Sequence, residues 1–93
     1  MKYIHIGWCK EDNHDKVWGI IHLHDEDCVT FWGRRGAKLQ TKLIKASDYT
    51  AYELFRKKRN KGYKEIHKDE LDKVYPEFQT DLEKTAIWAT LKL

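Results

Sequence analysis

Cysteine is scarce in this chain: Cys9 and Cys28 are the only two in 93 residues. Two thiols outside any CxxC spacing exclude a disulfide scaffold, and both are expected reduced. No apolar run approaches the ~18 residues that a membrane-spanning helix needs, and Met1-Lys2-Tyr3-Ile4-His5 lacks the continuous apolar stretch of a signal peptide. The expectation is a soluble intracellular protein, cytoplasmic and, in a bacterial host, nucleoid-associated, with no membrane partner. Linkers, repeats and low-complexity stretches are also missing, so residues 1–93 read as one domain with no room for a second, catalytic one. Nothing resembles a nucleophile elbow, a phosphate loop or a paired-carboxylate motif, and no enzyme activity is expected. His22 and His24 share a strand face, with Cys28, His5 and Cys9 elsewhere, but no pair has a recognised metal spacing. Asp25-Glu26-Asp27 lacks the Gly and the spacing of an EF-hand loop. Neither a metal nor a cofactor is expected.

What the chain does have is aromatic content and segregated charge. Apolar residues make up 41%, with four Trp, five Tyr and three Phe, enough for a compact core. The formal net charge of +3 hides its distribution. Residues 1–31 carry three Lys against six acids, residues 32–64 carry eleven Lys and Arg against Asp48 and Glu53, and residues 65–93 carry four Lys against seven acids. A central segment of +9 between flanks of −3 each is the footprint of a surface that binds a polyanion, because the strength of phosphate binding scales with the cations presented. Part of Arg56-Lys57-Lys58-Arg59 also has a local explanation, since cations favour a helix C-terminus.

Alternation of Ile4, Ile6 and Trp8 predicts a strand over residues 2–9, followed by a polar turn at Glu11–Asp15. A second strand, 16–24, sends Val17, Gly19, Ile21 and Leu23 one way and Trp18, Ile20, His22 and His24 the other. A third spans 28–34 and a fourth 39–46, with Leu39, Thr41 and Leu43 alternating against Gln40, Lys42 and Ile44. Between them Arg35–Lys38 reads as a turn, with Gly36 at positive φ. Ser47 or Asp48 caps a helix running to about Lys61, whose Ala51, Tyr52, Leu54 and Phe55 cover the sheet, and Gly62 is its C′ residue. Asp69 caps a short helix with Leu71, Val74 and Tyr75, which Pro76 ends or restarts. Phe78, Leu82, Ala86 and Ala89 continue at helical spacing; Ile87–Leu93 also reads as a strand, and helix is preferred. The fold class is α+β: a four-stranded antiparallel sheet packed by a basic helix, with a helical C-terminal extension.

Phe31-Trp32-Gly33-Arg34, followed by Arg35-Gly36 and, near the end of the basic helix, by Lys61-Gly62-Tyr63, concentrates the chemistry. Side chains two apart on a strand share a face, so Val29 and Phe31 fall together and Trp32 and Arg34 project side by side on the other face. Trp32 is then either an exposed stacking surface or a core aromatic. This pattern, from about Val29 to Tyr63, resembles the WGR domain, a sheet-plus-helix module of poly(ADP-ribose) polymerases and of small bacterial proteins. The resemblance implies DNA binding at breaks, with Trp32 packing on a terminal sugar, Arg34 touching phosphate and Tyr63 near a 5′ phosphate. Arg35 stands where an aliphatic residue is usual, and Leu39 where Gly is common; either Arg35 and Lys38 add phosphate contacts or the altered loop misplaces Arg34.

The expected function is therefore DNA-backbone or DNA-end binding without sequence readout. Trp32, Gly33, Arg34, Arg35 and Lys42 form the direct site, Arg56, Arg59 and Lys61 supply longer-range attraction, and Tyr63 completes the set. A protein-interaction module with Trp32 and Arg34 as its hot spot is the alternative. The sequence is silent on oligomeric state.

Overall fold

The computed structural model describes residues 3–11, 14–23 and 27–88. Five strands form one antiparallel sheet: β1 Tyr3–Glu11, β2 His14–His22, β3 Asp27–Arg34, β4 Gln40–Lys45 and β5 Lys64–Glu65, in the spatial order β4-β3-β2-β1-β5. Each strand expected from alternation is present. The fifth was not foreseen, because two residues cannot display a period of two. It pairs Gly7 with Glu65 and Trp8 with Lys64, and the Ile66 amide then donates to the Ile6 carbonyl at 2.8 Å.

α1, Asp48–Asn60, starts where expected: the Ser47 hydroxyl accepts from the Thr50 amide at 3.2 Å. It ends at Lys61, and Gly62 follows at φ 105°, the left-handed value that stops a helix. Ala51 and Phe55 are fully buried against the sheet and Leu54 partly so, whereas Tyr52 is largely exposed. After β5 come a short 3-10 helix, Lys68–Glu70, then α2, Leu71–Val74, halted by Pro76, and α3, Phe78–Glu83. His67 rather than Asp69 opens this segment, its amide donating to the Glu70 carboxylate. The helical spacing expected from Phe78 through Ala89 is interrupted after Glu83, and the expectation for Ile87–Leu93 falls mostly outside the described residues.

The sheet is covered on both faces, which corrects the one-sided arrangement expected from sequence. Val17, Ile21, Val29 and Phe31 pack with Ile6, Ile66, Tyr75 and Leu82 beneath the C-terminal segment. Trp18, Ile20 and Cys28 pack under α1 with Ala51 and Phe55, and Trp32, Ile44 and Tyr63 flank that cluster. The face of β3 opposite Phe31 is thus the helix face, not open solvent. The reason is topological: β5 lies at the edge, so the chain leaves α1 on one face and reaches the other beyond β1. Gly19 lies opposite Phe31, whose ring occupies the space a Cβ would need, its Cζ being only 2.1 Å from that position. The Phe31 side chain can lie flat across β2 because Gly19 has no side chain.

Candidate nucleic-acid interface

On the helix face, β2 and β3 place Trp18 opposite Trp32 and Lys16 opposite Arg34. Residues two apart share a face, so the four side chains form a two-by-two array, two indoles beside two cations. Like charges directly opposed across a strand pair repel; an anion seated between them would relieve that repulsion. The array forms one wall of a cavity of about 530 Å³, and Lys58 and Tyr63, at the end of α1, form the other. Ala51, Phe55 and Lys58 recur at helical spacing, so Lys58 is turned toward the sheet, where its ammonium lies 5.6 Å from the centre of the Trp18 ring. His14 also borders the cavity. Burial raises the Tyr63 hydroxyl pKa above its ordinary value, with a smaller contribution from Cys9. It therefore stays protonated at neutral pH and can donate to an anion.

Gly33 explains the middle residue of the tripeptide. Its φ of 152° lies in a region that side-chain-bearing residues rarely adopt, and a Cβ would stand 3.3 Å from the Lys38 carbonyl oxygen. That conformation allows β3 to pass Leu39 closely while keeping Arg34 in register with Lys16.

Of the residues expected at the site, the structure brings Trp32, Gly33, Arg34 and Tyr63 together around the cavity. Trp32 is half-buried, flanking the α1 core while still contributing to the cavity wall. Neither simple alternative for it, fully exposed or fully core, describes this position.

Arg35 is separated from these residues. It shares the Phe31 face, where its guanidinium lies 4.5 Å from the Trp8 ring centre, donates to Asp15 at 3.1 Å and donates to the Val74 carbonyl. Burial by itself would raise the Asp15 pKa, but hydrogen bonding from the Trp8 indole at 2.6 Å and the charge of Arg35 outweigh it, leaving the carboxyl below its ordinary value. Asp15 also borders the cavity, yet its carboxylate is committed on the far side of the sheet.

Lys42 is exposed on the helix-side face of β4, paired with Thr30. Arg56 is exposed and ion-paired with Glu53 at 2.9 Å, Arg59 lies 3.9 Å from Glu65, and Lys61 is exposed at the helix end. None of these lines the cavity. Lys16, Trp18 and Lys58 do line it, and the sequence reading missed them. The helical spacing of Lys58 with Ala51 and Phe55 was a readable signal; the pairing of Lys16 with Arg34 needed the β2–β3 register.

Known protein families, curated proteins and solved structures give no match to this chain. Among the described residues, no three His, Cys, Asp or Glu side chains gather as a metal site, and no helix is long and apolar enough to cross a membrane. Both cysteines are free thiols.

Proposed function

We propose that the protein is a nucleic-acid-binding module, not an enzyme, that holds the DNA backbone or a DNA end without reading sequence. The observation that carries this reading is the array of Trp18 and Trp32 beside Lys16 and Arg34, closed by Lys58 and Tyr63. Flat rings accept a sugar or a base of any sequence, and adjacent cations accept its phosphate. The same reading follows from the resemblance to the WGR domain, and the charge of +9 over residues 32–64 supplies long-range attraction. Rings and cations of this kind contact sugar and phosphate in place of base edges, so structure would be recognised over sequence.

Titration of labelled duplex DNA at two salt concentrations tests the proposal. Affinity should be micromolar in scale and fall steeply with salt, and Lys16→Glu with Arg34→Glu should abolish binding while the protein remains folded. A salt slope indistinguishable from zero in the parent protein would remove the electrostatic basis of this reading.

A further inference from the structure

Resting on that reading of the array, we infer that the cavity is a site for one free nucleotide, a nucleoside diphosphate, which competes there with DNA and so regulates its binding. Volume sets the scale. At about 530 Å³ the cavity falls inside the ~300–1,000 Å³ range of small-molecule sites, which combine apolar and aromatic walls with a few convergent polar groups. A double helix cannot enter it. A single nucleotide can be held between its two walls, β2 and β3 on one side and the end of α1 on the other.

The two indoles have different parts in such a site. Trp18 is 7% exposed and carries the Lys58 ammonium 5.6 Å from its ring centre, so the ring holds that cation in place. Trp32, half-buried, borders the cavity and is the ring on which a base of any identity stacks. Charge then selects the class of nucleotide. Lys16, Arg34 and Lys58 border the cavity, and the carboxylate of Asp15, the acid among the lining residues, is bonded to Trp8 and Arg35 on the far face of the sheet. The lining therefore presents three cationic side chains and no carboxylate turned toward them. An internal phosphodiester carries one negative charge. A terminal monophosphate carries ~1.5 to 2, and a diphosphate adds one more, so the diphosphate is the nucleotide whose charge the three cations match. The Tyr63 hydroxyl, kept protonated by burial, adds a donor on the helix wall.

Isothermal titration with ADP, AMP, adenosine and inorganic pyrophosphate tests the inference, beside competition of ADP against labelled duplex DNA. ADP should bind about tenfold more tightly than AMP, which brings one charge fewer, and more tightly than adenosine or pyrophosphate, each of which lacks part of the recognised group. It should displace duplex over the same concentration range in which it binds. Lys58→Gln should weaken ADP about tenfold, the loss of one charge-assisted contact. Trp32→Ala should remove the advantage of ADP over pyrophosphate, while Trp32→Phe should keep it; the comparison is made within one protein and so stands apart from any change in stability. Pyrophosphate binding as tightly as ADP in the parent, ADP binding unaffected by Lys58→Gln, or ADP binding that leaves duplex in place would each overturn the inference. If duplex binds and ADP does not, the inference falls and the DNA-binding proposal stands. If ADP binds in a Lys58-dependent way and duplex does not, the DNA-binding proposal falls and the nucleotide site remains.

Discussion

Arg34 and Arg35 are neighbours in sequence and opposites in role. Arg34 projects on the helix face of β3 opposite Lys16, whereas Arg35 is turned to the other face and tied to Asp15, Trp8 and the Val74 carbonyl. A pair of single substitutions should separate binding from stability. Arg34→Ala is expected to lower the slope of log affinity against log salt by about one, as loss of one phosphate contact does, with little change in unfolding free energy. Arg35→Ala is expected to leave that slope unchanged but to destabilise the fold by about 2 kcal/mol, because it removes a charge-assisted hydrogen bond and leaves Asp15 without its cation. Urea unfolding beside DNA titration reads both; a reduced salt slope in Arg35→Ala would return that residue to the binding surface.

At the scale of elements, the docking of α1 on β1 contains a pH-dependent contact. His5 stacks on Phe55, ring centres 5.2 Å apart and planes within 26°, and Tyr52 approaches its edge at 6.4 Å. Burial lowers the His5 pKa; Glu65 opposes the shift and Arg59 adds to it. The unfolded chain therefore binds this proton more readily than the folded one. This contribution to stability is complete above the ordinary histidine value, ~6.5, and is lost as pH falls from there through the lowered folded value. Chemical denaturation across that interval should show stability declining with acid, and His5→Phe should flatten the decline. An unchanged pH slope in the variant would assign the effect to another group.

For the whole molecule, the C-terminal segment fastens the loop beside the tripeptide. Asp81 is 2% exposed, accepts from the buried Tyr75 hydroxyl at 2.5 Å and accepts from the Gly36 amide at 3.1 Å. The Arg35 bond to Val74 joins the same segment to the same turn. Burial and Asp81 together push the Tyr75 pKa well above its ordinary value, so the hydroxyl remains a donor across the working pH range. Asp81→Ala should cost about 2 to 3 kcal/mol, since the Tyr75 hydroxyl and the Gly36 amide both lose their acceptor. It should also weaken DNA binding several-fold through the loosened turn. Thermal unfolding and titration below the new midpoint would measure the two effects, and a variant that binds normally when folded would confine Asp81 to stability.

The sequence by itself determined whatever depends on near neighbours along the chain. Alternation set the side-chain parity of β1 to β4, the Ser47 hydroxyl and Gly62 bounded α1, and charge counting placed the cationic segment. These were legible because hydrogen bonding within a turn and the two-residue repeat of a strand are local. Tertiary structure alone decided which face each element covers. It added β5, buried Phe31 beneath the C-terminal segment, left Trp32 half-buried beside α1, drew Arg35 away to Asp15, and aligned Lys16 with Arg34 and Trp18 with Trp32. Parity states which side chains lie together but not what lies above them, and cross-strand register depends on turns and packing between residues distant in sequence. The cavity belongs to that second group, because its two walls meet only when the end of α1 closes over β2 and β3.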